Sequence, residues 1–156
     1  MSNPTQAATG HDGRAYRLAE KRLVNRPRHD VFSYTADFAH IAQWDPGVVS
    51  SSRIDSGPLG VGSSFAVTVK MGMTTKQMSY EITEFVPDER VVLVGTGGGL
   101  HAVDEIRFIQ KDGSTLIDYE ATLTFSGLMG WFGPLLQPVL RRVGKRALDG
   151  LAEALR

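Results

Sequence analysis

Residues 131–156 read WFGPLLQPVLRRVGKRALDGLAEALR. Trp131, Phe132, Leu135, Leu136, Val139, Leu140, Val143, Ala147, Leu148, Leu151 and Leu155 recur at intervals of three and four, with Gln137, Arg141, Arg142, Lys145, Arg146, Asp149 and Glu153 between them. That spacing predicts a long amphipathic helix with one broad apolar face. Pro138 lies inside the pattern, where it removes a backbone hydrogen bond and crowds the preceding turn. A kink or a fresh start is therefore expected near Gln137. An apolar face of this length needs a large partner, and the chain before it supplies one.

From Val48 onward the periodicity changes to two. A strand is predicted over residues 48–55, then a turn-rich link, SGPLGVG, over 56–62. Over 63–71, Phe65, Val67, Val69 and Met71 alternate with Ser64, Ala66, Thr68 and Lys70. Gly72 interrupts, and over 74–85 Met78, Tyr80 and Ile82 share one face. Pro87-Asp88-Glu89, Gly97-Gly98-Gly99 and Lys111-Asp112-Gly113 are hairpin signals. The strand at 90–96, RVVLVGT, is apolar throughout and its inward face has no readable phase. Over 100–110, Ala102, Asp104, Ile106 and Phe108 share a face; over 114–125, Ile117, Tyr119, Ala121, Leu123 and Phe125 do. Short loops enforce an antiparallel meander.

Upstream, residues 15–25 read as a first strand near a sheet edge, and Pro27 suits the first position of a short helix. Asp37 is placed to cap a second one, 38–43, which Trp44-Asp45-Pro46-Gly47 ends in a turn. The fold class is α+β: about seven antiparallel strands wrapped around a long C-terminal helix, with two short helices after the first strand. A cavity between sheet and helix is expected.

Seventeen basic residues balance seventeen acidic ones among 156, so no global field favours nucleic acid. The 42% hydrophobic and 22% charged content is that of an ordinary soluble domain. There is no cysteine, which excludes a disulfide framework, a thiolate metal site and a cysteine nucleophile, and favours the cytoplasm as compartment. Residues 1–14 are polar and contain glycine; they are expected to form a disordered tail rather than a secretory signal. A single domain is expected over 15–156.

Four segments carry a resemblance: the helical pair closing on W-D-P-G (44–47), GPLGVGSSF (57–65), YEITEFVPDER (80–90), and the terminal helix opening G-x-x-G-x-x-x-P (127–134). With them the chain, over roughly 16–156, resembles the polyketide cyclase/dehydrase and lipid-transport family of the START-like helix-grip (SRPBCC) superfamily. The resemblance implies an apolar cavity between sheet and helix, and functions from aromatase/cyclase to lipid carrier.

No nucleophile elbow, H-E-x-x-H, Walker loop or complete G-x-G-x-x-G is present, and His11, His29, His40 and His101 are scattered. No metal and no cofactor is expected. Asp104 is the most informative single residue, because its phase puts a carboxyl on the inward face with Ile106 and Phe108. A buried carboxyl has a raised pKa and can move protons near neutrality; a wet rim position or a tyrosine hydroxyl partner would account for it equally. Tyr80 and Tyr119 face the same side, as ligand-orienting hydroxyls or as core aromatics. Trp44 either lines the cavity mouth or plugs the helical pair. Phe65, Val67, Val69, Met71, Met78 and Ile106 are expected to line the cavity from the sheet, and Leu136, Leu140, Val143 and Gly144 from the helix. Met71, Met73 and Met78 cluster around one hairpin and suit an irregular apolar ligand. Gly144 either lets the sheet approach or leaves volume for a ligand. Leu128, Trp131 and Phe132, followed by Arg141 and Arg142, form an apolar lip beside a basic face, suited to transient contact with a membrane surface or simply to closing the end of the sheet.

Binding or transfer of a hydrophobic small molecule, whether lipid, aromatic or polyketide-like, is the leading reading. A cyclase/aromatase or dehydratase using Asp104 with Tyr80 or Tyr119 is the second. It would need several convergent titratable groups where the sequence offers one. A regulatory protein acting through its surface is the third.

Overall fold

The computed structural model describes residues 15–126 and 133–156, with the side chains of 133–135 excepted. The order is β1 (Ala15–Val24), α1 (Arg28–Ala36), a 3-10 turn (Phe38–His40), α2 (Ile41–Trp44), β2 (Val48–Arg53), β3 (Ser64–Met71), β4 (Thr74–Val86), β5 (Arg90–Gly97), β6 (Leu100–Lys111), β7 (Ser114–Phe125) and α3 (Gly133–Ala154). The seven strands form one antiparallel sheet in the order β1-β7-β6-β5-β4-β3-β2. β1 is an edge strand, as its sequence predicts, and β2 is the other edge. The short helices thus connect the two opposite edges of the sheet.

Local chemistry explains how that connection is held. Thr115 Oγ1 donates to Arg26 O at 2.8 Å, pinning the chain as it leaves β1. Pro27 is the N-cap of α1 rather than its first residue, and no side chain caps that helix. Asp37 does cap: its Oδ1 accepts from Ala39 N at 3.0 Å. Ser51 on β2 donates to Phe38 O at 2.5 Å and ties the 3-10 turn to the far edge.

The alternation predicted for β3, β4, β6 and β7 is present, with Phe65, Val67, Met78, Tyr80, Ile82, Ala102, Asp104, Ile106, Phe108, Ile117, Ala121 and Phe125 buried. A register shift between Ile82 and Glu84 turns Phe85 back inward, where its ring meets Phe32 at 5.2 Å. The unphased strand β5 is resolved by pairing. Leu93 stands opposite inward-facing Asp104, so Val91, Leu93 and Gly95 face the concave side. Val92 is buried on the other side, which is why the sequence carries no alternation there.

α3 is one continuous element that includes Pro138; no fresh start occurs at Gln137. Leu140, Ala147, Leu148, Leu151 and Leu155 are buried against sheet and helices, each contributing roughly 1.5–3 kcal/mol if a leucine. Two expectations need correction. Val143, and Val139 with it, are 42% and 52% exposed: both lie on a flank of the helix, outside the arc that the sheet covers. Met73 is fully exposed at the β3–β4 hairpin tip, so Met71 and Met78 do not form a three-methionine cluster with it. The predicted tail at 1–14 and the lip residues Leu128, Trp131 and Phe132 lie outside the described residues.

The buried apolar residues divide into two clusters. The larger joins α1, α2, the mid-sheet and the second half of α3. The smaller comprises Tyr16, Leu18, Ala121, Phe125 and Leu140, with Met71 and Leu136 packed on it. Tyr119, Leu100 and Leu123 touch both.

Candidate functional site

At the junction of the two clusters sits a polar pair. Asp104 (β6) stands directly across from Ala121 and Tyr119 (β7) across from Ile106, so the tyrosine hydroxyl reaches its acid along the diagonal. Tyr119 Oη donates to Asp104 Oδ1. The second carboxyl oxygen, Oδ2, is buried and has no partner among the described residues, although Asp104 is only 4% exposed. An unpaired buried polar atom costs free energy wherever nothing supplies its hydrogen bond. The tyrosine-partner explanation of Asp104 therefore accounts for one oxygen and leaves the other open.

Tyr80 is placed by an absence. Its ring occupies the space above Gly95, where a Cβ would stand 2.4 Å from Tyr80 Cζ. Phe38 packs against the same ring at 5.4 Å. Trp44 packs edge-on to Phe38 at 6.3 Å and is 4% exposed, and its Nε1–H also lacks a partner among the described residues. Trp44 is thus a buried plug of the helical pair with an unused donor.

A residue that the sequence reading took for turn chemistry belongs to this group. Asp45 does hold the turn, accepting from Gly47 N at 2.7 Å. Its carboxylate is also near enough to Asp104, Tyr80 and Tyr119 for its charge to act on all three. No sequence signal distinguishes it, because Asp-Pro-Gly is fully explained by the turn.

Electrostatics follow from burial. Loss of water pushes the Asp104 carboxyl up to about 6, against the Tyr119 O–H that favours ionisation; the Asp45 charge raises it further. Burial, and then the charge of Asp104, raise the hydroxyls of Tyr119 and Tyr80. Burial likewise raises Asp45, opposed by the Gly47 N–H. The arrangement holds a carboxyl that changes protonation near neutrality, with a phenol that stays protonated at its side.

Of the other expected lining residues, Phe65, Val67, Met78 and Ile106 fall in the larger cluster with Trp44 and Tyr80, and Val69 packs on it. Met71, Leu136 and Leu140 belong to the smaller one. Val143 is on the exposed flank. At Gly144 a Cβ would meet Glu20 Cγ at 3.5 Å and Leu18 at 3.8 Å, ordinary contact distances, so the sheet's approach does not depend on glycine there. Among the described residues no three His, Asp or Glu stand together as a metal site would require, and no helix is long and apolar enough to cross a membrane.

An open seven-stranded antiparallel sheet gripping a C-terminal helix is the helix-grip architecture. Comparison with known proteins agrees: the family described as "Polyketide cyclase / dehydrase and lipid transport" matches residues 16–156, and the chain belongs to it. The structure is similar to the Zhui aromatase/cyclase from Streptomyces sp. R1128 (TM-score 0.75, 14% identity, 91% of this chain and 94% of that one). It is also similar to the protein TTHA0849 from Thermus thermophilus (TM-score 0.72, 16% identity, 90% of this chain and 97% of that one). A START superfamily protein from Mycobacterium smegmatis aligns with TM-score 0.65 and 14% identity over 89% of this chain and 93% of that one. No curated protein matches the chain.

Proposed function

We propose that this chain binds an apolar or aromatic small molecule, lipid-like or polyketide-like, between the concave face of the sheet and α3. The observation that carries the reading is the unpartnered Oδ2 of buried Asp104, set where the apolar core divides in two. Cavities that take such ligands are mostly apolar with a few placed polar groups, and Asp104, Tyr119 and Trp44 Nε1–H are polar groups of that kind. N-phenyl-1-naphthylamine, an uncharged probe that fluoresces in apolar surroundings, tests the reading. A saturable one-to-one signal supports it, and a linear, unsaturable one contradicts it.

A cyclase or dehydratase role is the second reading. It is supported by the likeness to an aromatase/cyclase and by a carboxyl placed to titrate near neutrality beside a protonated phenol. In that role Asp104 would take a proton from a substrate carbon or return one to a departing oxygen, with Tyr119 steadying its charge.

We also propose transient contact with an anionic membrane through the exposed flank of the first half of α3, ahead of the point where the helical pair covers that side. Arg141, Arg142 and Arg146 are exposed and without ion pairs among the described residues, whereas Lys145 is matched by Asp149 at 3.8 Å. Val139 and Val143 interleave with Arg142 and Arg146 at helical spacing, an apolar edge with cations beside it. The variant Arg142→Glu is expected to weaken co-sedimentation with phosphatidylserine vesicles by about tenfold. Parent protein that stays in the supernatant with those vesicles would end the idea.

A further inference from the structure

We infer that the ligand accepted by this interior is electrically neutral and donates a hydrogen bond to Asp104 Oδ2, and that carboxylate- and sulfonate-bearing amphiphiles, fatty acids included, are rejected. The inference rests on the binding reading above and specifies its chemistry.

Three observations carry it. The first is the orphan acceptor: Tyr119 has spent its proton on Oδ1, so an ionised Asp104 offers only an acceptor to an incoming group. The second is the sign of the charge around it. Asp45 from the α2–β2 turn adds a second carboxylate, and Tyr80 from β4 and Tyr119 from β7 bring phenols rather than cations. The neighbours on β5 and β7 across from Asp104 are Leu93 and Ala121.

The third observation is where the cations are. Arg53 is taken up by Asp55, Pro58 O and Ser63 at the other end of β2. Arg22 pairs with Asp149 on α3 through a terminal nitrogen, its buried Nε without a partner among the described residues, and Arg90 pairs with Glu84 and Glu105. Lys76 is exposed beside Gly98 at the end of its hairpin. Residues 127–135, GLMGWFGPL, contain no charged side chain. A buried anion needs a paired cation, and among the described residues none acts on Asp104. Trp44 Nε1–H supplies one neutral donor, suited to a carbonyl oxygen rather than to a full negative charge.

The test uses two probes of one skeleton: N-phenyl-1-naphthylamine, which is neutral with an N–H donor, and 8-anilino-1-naphthalenesulfonate, its sulfonated analogue. At a pH above the Asp104 titration the neutral probe is expected to bind at least about tenfold more tightly. Asp104→Asn keeps the side-chain shape and removes the charge, so it is expected to narrow that ratio, as is lowering the pH below the titration. Equal affinities, or a ratio that neither the variant nor the pH changes, overturn this inference and leave the binding reading standing. Failure of both probes to bind overturns both.

Discussion

Asp104→Asn is expected to stabilise the protein at neutral pH relative to acid. The ordinary aspartate pKa of 3.8 describes the unfolded chain, and the folded value is about 6. Between those values the folded state holds more protons than the unfolded one, so stability falls as pH rises through the window and is level above it. At roughly 1.4 kcal/mol per pKa unit, the parent gives up about 2.4 kcal/mol between pH 4 and pH 7 on account of this one group. Asparagine accepts the Tyr119 O–H through its carbonyl and has no charge to desolvate. Urea denaturation at both pH values measures the difference between parent and variant. The variant's advantage should be about 2.4 kcal/mol larger at pH 7 than at pH 4. Equal differences at the two pH values would show that Asp104 is solvated in the folded protein. A carboxyl that lowers stability at working pH is the kind of residue that function, not folding, explains.

Gly150→Ala is expected to reverse the usual sign of a helix substitution. Glycine to alanine in an exposed helix stabilises by about 1 kcal/mol. At position 150 the added Cβ would lie 1.9 Å from the carbonyl oxygen of Trp44, a backbone atom with no rotamer to change. The helix must then part from α2, and a loss of roughly 1–3 kcal/mol is expected, the range of an overpacked core. Gly144→Ala is the matched control. Its Cβ would meet only side-chain atoms at 3.5 Å or beyond, so it should be neutral or stabilising by up to about 1 kcal/mol. Denaturation of the two variants side by side decides. A Gly150→Ala protein as stable as the control would mean that α3 does not sit on α2.

Much of this molecule is readable from residue order because single-sided burial leaves a period in the sequence. Phe65 and Val67, then Met78, Tyr80 and Ile82, mark the concave face in that way, and Asp37 marks a helix start by its own hydrogen bond. The phase of β5 is unreadable for the converse reason, since Val91, Val92 and Leu93 are buried on both faces. Val139 and Val143 fit an apolar stripe by spacing, yet the stripe is wider than the arc that the sheet covers. They share the flank of Gly150, the side that meets the helical pair. Within the candidate site, Asp104 and Tyr119 share a face by alternation, and their pairing is the structure's addition. Asp45 stayed hidden because its local role in the turn is sufficient by itself. Gly95 stayed hidden because a missing side chain announces no partner, although Tyr80 depends on the gap.

Native mass spectrometry of the purified protein beside its denatured mass tests the central claim most directly. A ligand-binding interior predicts a retained excess of small-molecule size that leaves with organic solvent, or, for protein purified empty, one-to-one uptake of a neutral apolar compound that Asp104→Asn weakens. A bare mass before and after exposure to such compounds, from protein that is folded by every other measure, would contradict it.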